Sequence, residues 1–335
     1  MRFLVPLLAI SLASAGLYAE DLPGLKKPAV ARPERLSMVA VWDFAHHASA
    51  PDLLHYDGRW LVAFREASAA GATDGAIRVM SSLDGEKWSP WSRLEHAIAD
   101  LDRPRLHQMP DGQLLLTAAV TMHADGPSKH RTYAWKSRNG REWEGPQVIG
   151  DEGIRLGPIE WRRGTAYSFG YQPGARERTL RGYMGTVGDI AFDLTPSSPA
   201  TVESAQLGPT GMAFLPDDTA IAVAEHAEGS LRFGVSRPPY RHWQWKDLGQ
   251  NVGDPRLVRL DDGRLLVSGA DAKGRASIFW LDPVEGTLAQ AGALSAEATL
   301  EGASVRWHDG ALWAAYRAAN PNGAASIYLA RIKLP

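Results

Sequence analysis

The chain has 335 residues, 44% hydrophobic and 22% charged, a globular composition with length enough for a sizeable core. A net charge of −2 with no strongly basic tract argues against nucleic acid as a partner. The sequence has no cysteine, which excludes disulfides and thiol-linked lipid, so stability must come from packing alone.

Residues 1–19 read as an export signal. Arg2 supplies the positive start, Phe3 to Leu12 the apolar run, and Ala13-Ser14-Ala15 the small residues before cleavage, after Ala15 or Ala19. The run is too short to span a bilayer, and no later segment reaches about 18 apolar residues. A periplasmic or secreted protein without a membrane span is expected. Residues 20–36, rich in Lys and Pro, read as an extended linker. Residues 37–335 read as one folded unit.

Within that unit a short pattern recurs. "HYDGRWLVAFRE", "QMPDGQLLLTAA", "EWRRGTAYSFGY", "FLPDDTAIAVAE", "RLDDGRLLVSGA" and "RWHDGALWAAYR" each place a turn between two apolar runs. The turn residues are Gly58, Gly112, Gly164, Asp218, Gly263 and Gly310, spaced 54, 52, 54, 45 and 47 apart. Asp-Gly between such runs is a strong hairpin signal. A third strand follows in most units, as in Gly75–Ser82, Arg131–Ser137, Ser230–Ser236, Ala276–Asp282 and Ala325–Arg331, and then a weaker fourth. Four antiparallel strands at this period predict a β-propeller blade. The expected fold is all-β, a six-bladed β-propeller of four-stranded antiparallel blades. The last unit lacks room for an outer strand, so Ser37–Ala45 is expected to pair there and close the ring, which removes exposed sheet edges.

The third and fourth strands are joined by a second repeat, Ser82-x-Asp84-Gly85-x-x-Trp88 and Ser137-x-Asn139-Gly140-x-x-Trp143, with Ser236–Trp243 as a diverged copy. The Asp or Asn bonds turn amides, the Gly takes positive φ, and the Trp packs the turn on its sheet. These turns are structural.

This motif resembles the Asp-box, or BNR, repeat of the sialidase superfamily. "WLVAFREAS" (Trp60–Ser68) is similar to the first-blade Arg strand of that family, and the likeness covers roughly Ser37 to Leu334. It implies an exported sialidase-like glycoside hydrolase acting on a terminal sugar of a glycan, with Arg residues gripping a carboxylate, a Tyr nucleophile activated by Glu, and an Asp acid/base on a loop. Carried over residue by residue, Arg65 with neighbouring Glu66 is the first carboxylate-binding position, and Asp74 in the Gly/Ala-rich loop 66–75 is the acid/base candidate. Glu160 is the candidate activating carboxylate. Arg105 and Arg256 sit at matching Asp-x₀₋₁-Pro-Arg segments, either converging on substrate or pairing with Asp102 and Asp254. Local pairing of Arg65 with Glu66 and a turn role for Asp74 are the plainer alternatives.

The chain departs from the family at other positions. Glu225-His226 and Gly269-Ala270 stand where Arg residues are usual, and Ala298–Val305 has no Tyr. Glu301 is the polar group there, with Tyr316 and Arg317 one strand later. Two alternatives therefore stand beside the sialidase-like reading. One is a propeller that binds glycan or protein without catalysis. The other is a neutral-sugar hydrolase or lyase using carboxylates such as Glu160, Glu225 and Glu301. No zincin, Gly-x-Ser-x-Gly or phosphate-loop motif occurs, and His46, His47 and His226 lack metal-ligand spacing. No cofactor is expected, although a Ca²⁺ ion bound by carbonyls would leave little trace in sequence. The expected partner is a glycan or small carbohydrate.

Overall fold

The structure, a computed structural model, describes residues 22–28, 32–44, 46–122, 129–174, 180–186, 195–199, 206–319 and 324–335. The signal-like residues 1–19 and part of the segment read as a linker lie outside these. Among the described residues the regular structure is entirely β, in a propeller arrangement. None of it is a helix long and apolar enough to cross a membrane.

The strands form five hydrogen-bonded sheets. One contains β6 (Ala99–Gln108), β7 (Leu114–Met122), β8 (Lys129–Ser137) and β9 (Glu144–Ile149) in sequence order. A five-stranded sheet contains β10 (Arg155–Leu156), β11 (Glu160–Arg162), β12 (Thr165–Tyr171), β13 (Arg181–Thr186) and β14 (Thr195–Pro199). Two four-stranded sheets follow. The first runs β15 (Leu207–Phe214), β16 (Ala220–His226), β17 (Ser230–Ser236) and β18 (Gln244–Asn251). The second runs β19 (Gly253–Arg259), β20 (Leu265–Ala270), β21 (Ala276–Asp282) and β22 (Thr287–Ala293).

The eight-stranded sheet joins both ends of the chain. It contains β2 (His47–Tyr56), β3 (Arg59–Ala67), β4 (Ala76–Ser82) and β5 (Ser89–Leu94), and also β23 (Ser304–His308), β24 (Ala311–Ala319) and β25 (Ala325–Lys333). A single parallel bridge, His47 to Ala325, links the two halves. β1 (Glu34–Trp42) pairs antiparallel with β25 from Glu34↔Lys333 to Trp42↔Ile327.

The hairpin residues behave as their chemistry requires. Asp57-Gly58, Arg163-Gly164 and Asp309-Gly310 all take positive φ between strands whose ends pair directly, the two-residue turn that matches strand twist. The Gly112 and Gly263 loops are longer and close with bonds from Gly112 N–H to Met109 C=O and Gly263 N–H to Leu260 C=O.

The cores lie between facing sheets. Leu61, Ile77 and Val79 pack on Leu101, Leu106 and Leu116, and Ile221, Val223 and Phe233 pack on Leu257, Val267 and Phe279. Residues 22–28 dock on the second pair: Leu22 and Leu25 join that core, and Lys26 N–H donates to Gly263 C=O at 3.1 Å.

The repeated turns tie neighbours together. Asp84 Oδ1 accepts from Glu86 and Lys87 N–H, both at 2.8 Å, and from the Ser82 hydroxyl at 2.9 Å. In the second copy, the Trp143 indole donates to Ser92 Oγ and the Trp91 indole to Asn139 C=O, both at 3.0 Å, linking β5 to the β8–β9 turn. In the diverged copy Tyr240 replaces glycine at φ 61°, and Trp243 still donates to the carbonyl three residues back at 3.2 Å.

Candidate active site

Each sheet begins with a strand that borders a common channel: β2 lies beside β6 and β23, and β19 beside β15 and β23. A proline interrupts several of these strands. Ala50-Pro51, Arg103-Pro104, Gly208-Pro209 and Asp254-Pro255 fall at register shifts, where proline's missing N–H is tolerated in a bulge. Ala50, Arg103 and Asp254 take φ of 51°, 49° and 47° there. Non-glycine residues in this region are strained, and such strain collects at functional sites.

The bulge sets two levels. Above it is the mouth, a cavity of about 490 Å³ lined by residues that include Arg103, Arg155, Tyr171, Glu225, Asp254 and Asp271. Asp254 is its hub. It stands 3.2 Å from Arg103 and 3.7 Å from Arg105, and its own N–H donates to Glu225 Oε2 at 3.2 Å. Burial pushes the Asp254 carboxyl up, but Arg103, Arg256 and Arg105 together hold it well below the usual carboxylate range. Asp271 is neutralised by Arg275 at 2.8 Å.

Below the bulge, the next residues occupy matching register positions: Asp52 opposite Ala63, Arg105 opposite Thr117, Glu160 opposite Tyr167, Thr210 opposite Ala224, Arg256 opposite Ser268, and Ser304 opposite Ala315. Asp52 is 2% exposed and accepts from Leu106 N–H at 2.7 Å and the Ser304 hydroxyl at 2.8 Å. Burial raises the Glu160 carboxyl to about 7, against the attraction of Arg306 and with help from Asp52. His107 is lowered to about 3, chiefly by burial. A neck of about 20 Å³ shares Arg103, Arg155, Tyr171 and Asp254 with the mouth and reaches Arg105 and Thr210.

The structure brings some of the residues expected from sequence together. Glu225 lines the mouth and Arg105 the small cavity beneath it, while Arg256 and Glu160 line neither and take the matching register positions on their own strands. Burial lowers Arg105 to about 10, with Arg256 adding to the shift. Glu301 follows Leu300, which lines the mouth, but does not line it itself: its Oε2 accepts from Ala50 N–H at 2.8 Å, Arg317 stands 3.9 Å away, and burial raises its carboxyl. Arg317 also donates to Thr299 C=O at 3.3 Å.

Other expected residues point elsewhere. Arg65 is 5% exposed and is held by Asp100 at 2.7 Å and by the Ala72 carbonyl. Its partner is therefore Asp100 of the neighbouring sheet, and not Glu66. Glu66 is on the opposite face of β3, paired with Arg78 at 2.7 Å. Asp74 accepts from Ser68 N–H at 3.2 Å and closes its own loop. Tyr316 is 1% exposed in the core between sheets, its hydroxyl 3.0 Å from Met38 Sδ. Among the described residues no three potential ligands are grouped to hold a metal.

Sequence reasoning missed Asp52, Arg103, Arg155, Tyr171 and His107. The Pro repeat at Ala50-Pro51, Arg103-Pro104, Gly208-Pro209 and Asp254-Pro255 was the available signal for Asp52, two places past a kink, and for Arg103, at one; nothing comparable marks Arg155, Tyr171 or His107.

No protein-family model matches the sequence, and no curated protein matches it. Solved structures do. A Dyadobacter fermentans protein of unknown function is 15% identical with a TM-score of 0.74, covering 91% of this chain and 100% of that one. A Penicillium chrysogenum alpha-L-arabinanase complexed with arabinobiose is 15% identical with a TM-score of 0.66, covering 89% and 98%. A Trypanosoma rangeli sialidase in complex with sialic acid is 12% identical with a TM-score of 0.61, covering 91% and 60%. At these identities what the chain shares with them is the fold.

Proposed function

We propose that this is an exported glycoside hydrolase, a sialidase-like propeller that removes a terminal sugar from a glycan. One observation carries the reading: a cavity of about 490 Å³ at one end of the channel gathers Arg103, Arg155, Tyr171, Glu225 and Asp254 from different sheets. That size and mix of polar groups suit a small ligand. Asp254, held ionised by its arginines, faces the positive charge that develops at the sugar's anomeric carbon, while Glu225 gives a proton to the leaving oxygen as the glycosidic bond breaks and takes one back from the water that adds to that carbon. Of the tyrosines, Tyr171 lines the mouth beside the two carboxylates, whereas Tyr316, the one expected from sequence, is enclosed between sheets.

The same proposal takes the architecture as six blades. The eight-stranded sheet is then two blades meeting at the His47–Ala325 bridge, with β1 as the outer strand of the last. Apolar clusters between consecutive sheets, ending with Trp313 against Trp60, support a closed ring.

A second reading, a glycan-binding propeller without turnover, is favoured by the engagement of both carboxylates with protein donors. A panel of chromogenic glycosides separates them, including an α-sialoside and an α-L-arabinofuranoside. Turnover of one glycoside is expected, reduced at least 100-fold in Asp254→Asn and Glu225→Gln. Binding on a glycan array with no turnover would favour the second reading. Neither turnover nor binding would sink both.

A further inference from the structure

The segment between β22 and β23 carries a leucine to the rim of the mouth. Leu300 lines the cavity, is 78% exposed, and takes φ of 57°. A single exposed leucine is ordinary on a protein surface. A leucine at positive φ is strained, and it persists only where its surroundings fix it. Two pins fix this one. Thr299 and Leu300 N–H both donate to Gly274 C=O, at 2.7 and 2.8 Å. Two residues on, Gly302 N–H donates to the Asp254 carboxylate, and a Cβ on Gly302 would stand 2.5 Å from the Asp254 carbonyl oxygen. Leu300 is therefore held at a set place beside the hub of the mouth.

The wall next to it offers no free hydrogen-bonding side chain. Ala270, Ala272 and Gly274 line it, and Leu300 packs directly on Gly274. The polar residue among them, Asp271, is committed. Its Oδ1 accepts from Lys273 and Arg275 N–H, and its Oδ2 from the Arg275 guanidinium, the Ser277 hydroxyl and the Gln290 amide. The Thr299 hydroxyl donates to Glu301 C=O, and the Glu301 carboxylate accepts from Ala50 N–H. A ligand hydroxyl laid on this wall would leave water without finding a partner there, whereas hydrocarbon would gain by burial.

We propose that the mouth takes a terminal sugar borne on an apolar aglycone, and that the hydrocarbon of that aglycone rests on Leu300. The inference builds on the hydrolase reading above and deepens it. An enzyme that removes a terminal sugar holds it at the charged centre, by Asp254 and Glu225. The group from which the sugar is cut then lies toward the opening, and Leu300 stands at that opening. Leu300 acts as a specificity-determining residue and takes no part in the bond-breaking step.

The test compares methyl with hexyl glycosides of α-sialic acid and of α-L-arabinofuranose, whose leaving alcohols differ little in acidity. For the sugar that wild type turns over, kcat/KM should be about tenfold higher for the hexyl glycoside than for its methyl partner. Leu300→Asn should bring that ratio down to about one. Asparagine accepts positive φ more readily than leucine, so this variant should fold; should it not, the wild-type ratio decides alone. Should no glycoside be turned over, the hydrolase reading fails, and the same ratio is read from dissociation constants by calorimetry. Equal values for the two aglycones overturn the inference and leave hydrolysis standing. A hexyl preference that survives in Leu300→Asn puts the contact elsewhere and overturns it as well. Neither turnover nor binding of any of the four overturns both.

Discussion

Arg65 and Glu66 show how much one residue step decides. Both were expected at the substrate, yet neighbours on a strand point to opposite faces. Arg65 turns toward the start of β6 and Asp100, and Glu66 toward Arg78 and Arg93. Because the Arg65–Asp100 pair is largely buried, Arg65→Ala should cost about 3 kcal/mol in urea unfolding. An Arg65→Ala, Asp100→Ala double variant should recover part of that loss, because no charge is then left unpaired. Equal losses in single and double variants would count against the pair.

Two channel residues give opposite dependences on pH. Glu160 has a folded value of about 7 against an ordinary 4.5, so its contribution to stability is complete below pH 4.5 and lost as pH rises through 7. His107 has a folded value of about 3 against 6.5, so its contribution is present above pH 6.5 and lost as pH falls toward 3. Between 4.5 and 6.5 the two slopes oppose. Glu160→Gln removes one of them. Relative to wild type, the variant should gain about 3 kcal/mol between pH 4.5 and pH 8, read from urea midpoints across pH. An unchanged difference would mean Glu160 titrates as an ordinary surface carboxylate.

At the level of the strand, β1 is the exposed partner of β25, but Val41 is 4% exposed and belongs to the core with Trp60 and Leu329. Removing residues 1–42 uncovers the outer edge of β25. Uncovered edges pair with other chains. The truncated protein should unfold at a lower temperature and should associate in a concentration-dependent way by light scattering. A monomeric truncation with an unchanged midpoint would show that β1 contributes neither packing nor edge protection. Short elements also mark where sequence was readable. Hairpin turns with Asp-Gly or Arg-Gly announce themselves locally, and so do the Ser-x-Asp-Gly-x-x-Trp turns. The bulges at Ala50-Pro51 and Gly208-Pro209 were harder, because their meaning lies in alignment across sheets far apart in sequence.

For the molecule as a whole, the repeat of turns was enough to read the propeller arrangement, since each unit must bury both faces of its sheet against neighbours. The site was only partly legible. Arg105 and Arg256 emerged from a matching Pro-Arg pattern, and Glu225 from standing where the resembled family usually carries an Arg. Tyr316 did not come to the mouth, because a strand alternates between faces and a tyrosine with an apolar ring goes to the side that is dry. Which side faces the channel depends on register, and register in these first strands is shifted at the prolines.

The pairing of Glu34 with Lys333 has a further consequence. The earliest strand of the chain waits for the last one to be made before it has a partner. A ribosome delivering this polypeptide from its N-terminus releases β1 and β2 long before β25 arrives, so β1 gains its partner only once β25 has been made. Contacts between such distant segments fold slowly. Residues 22–28 reach their own docking surface, around Leu257 and Gly263, before β25 is made.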